Sequence, residues 1–124
     1  YDKSEISKLL KIKNVIDFYY SDFDDWKNLL KLLLDGFSKN HNFANLALIP
    51  LGRTEKLKDF VNELKKNLKD RKLIYTENLI EFEEDDLRII LTSIGHCTRK
   101  DISSLRNKIQ IQGKKIDYLI ILNQ

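Results

Sequence analysis

The sequence predicts an α/β protein, a small Rossmann-like three-layer sandwich with a mostly parallel sheet. Two observations carry that prediction. Three amphipathic helical segments are interleaved with short apolar runs, and the later runs are apolar at consecutive positions. Strands buried on both faces by helices need that pattern, whereas a half-exposed antiparallel sheet would alternate apolar and polar residues. The resulting order, strand, helix, strand, helix, strand, strand, helix, strand, points to right-handed crossovers in a single sheet. With 124 residues and a hydrophobic fraction of 42%, the chain suits one domain with one central sheet.

Residues 1–14 read as a basic linker segment, because Lys3, Lys8, Lys11 and Lys13 crowd the start; the α/β domain is expected over 15–124. The chain opens with Tyr1 and contains no methionine, which suggests a piece of a longer protein. Val15 to Tyr20 is the first expected strand. From Asp24 to Phe37, Trp26, Leu29, Leu30, Leu33, Leu34 and Phe37 recur at three- and four-residue spacing. That is an amphipathic helix with acidic residues near its start and Gly36 as its expected stop.

Leu46 to Ile49 is a second strand. A helix over Thr54 to Leu68 follows, with Leu57, Phe60, Val61, Leu64 and Leu68 on one stripe and Thr54 as N-cap. Leu73 to Tyr75 and Leu87 to Leu91 are further strands. The stretch between them leaves no room for a crossover helix, so this pair is expected to be a hairpin or to place the first member at a sheet edge. Thr98-Arg99-Lys100-Asp101 has the form of a capping box, opening a helix that carries Ile102, Leu105 and Ile109 inward and ends at Gly113. Ile116 to Leu122 closes the sheet.

Composition excludes several classes of function. A lone Cys97 forms no internal disulfide, and with His41 and His96 it supplies too few ligands for a closed zinc site; no metal or cofactor is expected. Apolar runs such as Leu119–Leu122 fall far below the roughly 20 residues of a membrane-spanning helix. Charged residues make up 33% with a net charge of +3, too mild an excess to indicate a nucleic-acid partner. The basic N-terminal segment suits a position near anionic headgroups or after a membrane span. The acidic run Glu81 to Asp86 lacks the spaced ligands of a calcium loop and reads as a solvated loop. Phe18, Tyr19, Tyr20, Phe23 and Trp26 read as core.

Ligands of a doubly wound sheet sit at the carboxyl ends of strands, which directs attention to two loops. Pro50-Leu51-Gly52-Arg53-Thr54 joins a strand to a helix start and could hold an anion through Gly52, Arg53 and Thr54, although it lacks the Lys-Ser/Thr ending of a phosphate-binding P-loop. Thr92-Ser93-Ile94-Gly95-His96-Cys97-Thr98-Arg99 makes the second junction and adds Gly95, Thr98 and Arg99 to the same weak anion-binding set. Cys97 beside His96 at a helix start invites a nucleophilic reading, a small hydrolase or transferase. Adjacent side chains at a turn seldom face each other, and Ser103 stands where a phosphatase-like loop needs arginine.

The stretch Ile89 to Asn123, with Ser-Ile-Gly-His-Cys-Thr-Arg-Lys-Asp-Ile before a helix, Gln112-Gly113-Lys114-Lys115-Ile116 after it and a last strand ending in Asn123, is similar to the end of the cytoplasmic ATPase-like domain of bacterial polysaccharide tyrosine autokinases and chain-length determinant proteins. Leu46 to Gly52 resembles that family's strand before a proline-glycine turn, and Ser4 to Leu10 resembles its juxtamembrane linker. The chain carries no Walker A sequence, no acidic strand end suited to magnesium and no terminal tyrosine cluster. The resemblance therefore implies a degenerate domain that has lost the kinase machinery. It would be a non-catalytic module on the cytoplasmic face of the inner membrane, within a longer membrane protein that sets polysaccharide chain length. Its partners would be sister copies, as a homo-oligomer, and the polymerase and export machinery. Thr98 and Arg99 correspond only to a helix start. The rival readings are a flavodoxin-like or receiver-like module for a small phosphorylated ligand and the Cys97 or His96 enzyme.

Overall fold

The computed structural model describes residues 3–19, 25–53 and 55–123. It is an α/β sandwich with helices α1 (Lys3–Leu10), α2 (Trp26–Asn40), α3 (Lys58–Asn67) and α4 (Arg99–Gln112), and strands β1 (Val15–Tyr19), β2 (Asn45–Pro50), β3 (Lys72–Tyr75), β4 (Leu87–Ser93) and β5 (Tyr118–Asn123). The strands lie in the order β1-β5-β4-β2-β3, and every pairing is parallel. The sheet is thus wholly, rather than mostly, parallel.

Residue alternation along each strand divides the interior in two. Phe18, Leu46, Leu48, Ile89, Leu91, Ile120 and Leu122 face α2 and α3, where they meet Leu30, Leu34, Phe37, Phe60 and Leu64. Ala47, Ile49, Ile90, Leu119 and Ile121 face the other way, against Ile6 and Leu10 of α1 and Ile102 and Leu105 of α4. Each such large aliphatic side chain contributes about 1.5–3 kcal/mol by leaving water, so both layers are needed to hold a sheet whose strands are apolar on both sides. Phe18 stands edge-on to Phe60 with ring centroids 5.0 Å apart. Tyr19 departs from the expected aromatic core and is 62% exposed, while Tyr20 and Phe23 lie outside the described residues.

Chain direction and layer agree throughout. The connections heading toward β3, through α2 and α3, cross on one face; those heading back, after β3 and through α4, cross on the other. All four therefore share one hand, as right-twisted parallel strands demand. Between β3 and β4 the crossing is made by a single 3₁₀ turn, Leu79–Glu81, with Leu79 and Phe82 buried beneath it. Of the two alternatives for this pair, β3 is the sheet edge and there is no hairpin.

Strand ends shift by a residue or two, β4 running on to Ser93 and β5 opening at Tyr118 rather than Ile116, and three helical regions differ from expectation. Helix α2 passes through Gly36 and stops at Asn40, because Phe37 one step on is buried in the core and holds the helical register; its expected start at Asp24 falls outside the described residues. The helix expected from Thr54 opens instead with a 3₁₀ turn, Glu55–Leu57, and becomes α-helical at Lys58; Thr54 itself is outside the described residues. The segment read as a basic linker contains α1, with Ile6, Leu10 and Ile12 all buried in the α4-side core. By contrast, α4 starts and ends as its sequence indicates: Thr98 and Asp101 exchange both bonds of a capping box, and Gly113 takes the left-handed conformation at φ 73°.

Candidate functional site

In this strand order the connections diverge on either side of the β2/β4 pair, so the carboxyl ends of those strands form the topological switch point where open α/β sheets hold their ligands. Both loops singled out in the sequence meet here. They meet by bonding to each other. The Arg53 amide donates to the His96 carbonyl at 2.9 Å, the Leu51 amide to the Leu91 carbonyl at 3.0 Å, and the buried Thr92 hydroxyl to the Leu51 carbonyl at 2.8 Å.

Gly52 explains how the loops come so close. Its φ is +86°, and a Cβ placed on it would lie 2.1 Å from the His96 carbonyl oxygen and 2.9 Å from the Cys97 backbone. Only glycine fits, both for the backbone conformation and for the space. The role foreseen for this residue was close approach to an anion; what approaches it is the second loop. Beside the seam remains a small recess of about 180 Å³, faced by Glu77, Asp101 and Lys108 among others. Two carboxylates at its wall make it a poor cradle for phosphate.

The start of α4 is likewise self-satisfied. The Thr98 hydroxyl accepts from the Asp101 amide at 3.1 Å, and the Asp101 carboxylate accepts from the Thr98 amide at 2.8 Å. A protein carboxylate thus occupies the end of the helix where an external anion would be drawn. Gly95, at φ +81°, sits exposed at the tip of a turn closed by the His96 amide on the Ser93 carbonyl at 3.2 Å. A positive φ at the third position is the signature of a type II turn. Arg99 is exposed. Of the weak anion-binding set, then, Gly52 and the backbone of Arg53 are drawn into the loop seam while Arg53 itself stays exposed, Thr98 caps α4, Gly95 and Arg99 face solvent, and Thr54 is outside the described residues.

Cys97 is buried, and burial pushes its thiol upward from the usual range; the Thr92 hydroxyl pulls against this and the Asp101 charge adds to it. A thiol held neutral at pH 7 is a poor nucleophile. No bond joins it to His96 among the described residues, and the His96 Nδ1 is buried without a partner.

The acidic run is only partly the solvated loop expected. Glu83 and Asp85 are exposed, but Asp86 is 6% exposed, accepting from Asn45 Nδ2 at 3.0 Å and from the Glu83 amide at 2.8 Å. Glu83, Asp85 and Asp86 bring carboxylate oxygens within 4.8 Å of one another; both Asp86 oxygens already serve as backbone and side-chain acceptors. Arg88, 4% exposed within β4, donates to the Glu83 carbonyl at 2.9 Å, and its own amide donates to Asp117. These residues brace the amino edge of the sheet. Nothing in the periodicity signals it, because Asp86 ends an acidic run read as a loop and Arg88 sits at the start of a strand otherwise read as apolar.

No family model, curated protein or solved structure matches this chain.

Proposed function

We propose that this chain is a non-catalytic interaction module, the cytoplasmic part of a bacterial membrane protein that sets chain length during exopolysaccharide or lipopolysaccharide synthesis and export. One observation supports the non-catalytic half most: the switch-point crevice is closed by its own loops, with Gly52 against His96 and Cys97 and the Asp101 carboxylate on the α4 start. A fold that binds nucleotides keeps that crevice open. The polysaccharide half rests on the resemblance of Ile89 to Asn123. Consistent with it, β4, α4 and β5 form one adjacent parallel unit, with the capping box at Thr98 and Asn123 ending the last strand.

Action would be by association. Sister copies of the parent protein and the polymerase and export machinery are the partners, met through exposed loops and helix faces and without nucleic acid. Magnesium-ATP titrated into the domain should give neither heat nor hydrolysis; micromolar binding or turnover would refute the non-catalytic reading. In cells, unfolding the domain within its parent by Leu64→Asp should shift the length distribution of exported polysaccharide while polymer is still made. An unchanged distribution would remove the polysaccharide assignment.

A further inference from the structure

The opposite end of the sheet is open. Between the end of α1, the start of β1 and the end of α4 runs a groove of about 390 Å³, within the range of small-molecule sites. Its apolar lining comes from Leu10, Ile12, Ile109 and Ile116, and its cations are Lys11, Lys13, Arg106, Lys114 and Lys115. Among the described residues the one carboxylate in the lining is Asp117, which accepts from the Arg88 amide. Lys114 is engaged by Glu84, whose carboxyl is held below the usual range by that hydrogen bond and by the lysine's charge. Among the described residues no acid pairs with Lys11, Lys13, Arg106 or Lys115. Among the described residues, four cations with no acid at ion-pair distance therefore line one partly apolar recess, against the single negative charge of Asp117.

Lys11 adds a second observation. Helix α1 ends in a Schellman motif: the Ile12 amide donates to the Ser7 carbonyl at 3.1 Å and the Lys11 amide to the Lys8 carbonyl at 3.2 Å. The motif needs a left-handed residue at Lys11, where φ is +58°, and glycine is the usual occupant. Among the described residues Lys11 is the one non-glycine with positive φ. A side chain kept at a position that disfavours side chains, and lining a groove of like charges, is strain located at a site.

We propose that this groove binds a phosphate-bearing ligand, a phosphate or pyrophosphate group of two or more negative charges joined to an apolar body. The cations take the phosphate oxygens and the aliphatic lining takes the body. The same chemistry is offered by an anionic phospholipid headgroup at a bilayer and by a soluble phosphoester; the inference stands apart from the polysaccharide reading.

The protein should sediment with phosphatidylcholine vesicles containing phosphatidic acid and not with phosphatidylcholine alone, or inorganic pyrophosphate should shift the methyl resonances of Ile109 and Ile116 in solution. The first result alone marks a lipid source and the second a soluble one. Removing Lys13 and Arg106 together (Lys13→Ala, Arg106→Ala) should weaken binding about fivefold for each cation lost. Lys65→Ala with Lys66→Ala, on the opposite layer, should leave it unchanged. Lys11→Gly keeps the backbone its turn prefers, so it should fold at least as well and still bind about fivefold more weakly. Absence of binding in both arms overturns the proposal, as does an equal loss in the Lys65/Lys66 pair, which would reduce the effect to net charge.

Discussion

The two ends of the sheet differ in a way the fold class does not anticipate. At the carboxyl end, where a doubly wound protein holds its ligand, backbone donors and acceptors of two loops satisfy each other across Gly52. At the amino end, which in this architecture is ordinarily structural, cations from the α1–β1 loop, α4 and the loop after α4 surround a recess in which, among the described residues, Lys114 has an acidic partner and Lys11, Lys13, Arg106 and Lys115 have none. A scaffold therefore does not dictate where its open surface lies. The loops do, by either spending their polar groups on one another or leaving them to solvent and ligands.

The sharpest way to break this contrast is at Gly52. Gly52→Ala places a methyl group inside the His96 carbonyl and forces an L-residue to φ +86°, so it should lower unfolding free energy by about 3 kcal/mol or more, read as a fall in the urea midpoint. A near-neutral result would mean the loops part readily and the crevice opens. Next is the amino-end brace. Asp86→Ala strands the Asn45 amide and the Glu83 N–H and should cost about 2 kcal/mol by the same measurement. The α4 cap is smaller: Thr98→Ala, which leaves the Asp101 amide unsatisfied, should cost about 1 kcal/mol.

Lys11→Gly should go the other way, raising stability by roughly 0.5–1 kcal/mol as the left-handed turn is relieved, net of the freer unfolded chain, seen as a higher melting temperature. The smallest effect is alkaline. Cys97 is raised by burial, and Tyr75 is raised by burial and by Glu77. Unfolded chains ionise at lower pH than the folded protein at both groups, so stability present below the ordinary thiol range fades as pH rises through the folded values. Cys97→Ala should remove the earlier part of that alkaline decline in a pH series of melting curves, and alkylation of the native thiol at neutral pH should be slow.

Helix α4 was legible because its signals are local. Thr98, Asp101 and Gly113 act within one turn of the helix end they define, so the chain can be read there residue by residue. Gly36 misled for the converse reason. Whether a glycine stops a helix depends on what the next turn can bury, and Phe37 had a core to enter. The basic start of the chain was read by charge, whereas Ile6 and Leu10, four residues apart, are the pair that seats α1 against α4. Four lysines among the first thirteen residues hid a two-residue apolar stripe. Residues of the two candidate loops were identified from sequence, but not that Arg53 would bond His96. That bond joins positions 43 residues apart, and no local pattern encodes it.

Composition, periodicity and local cap motifs determined the layered α/β class, a mostly parallel sheet and the ends of α4, because those follow from which residues must leave water and which backbone groups need partners within a few positions. Tertiary structure decided that Gly52 closes a crevice rather than lining one, and that Lys13, Arg106 and Lys115 border a common groove. Both outcomes depend on distances between segments far apart in the chain, and only the packed sheet brings those segments together.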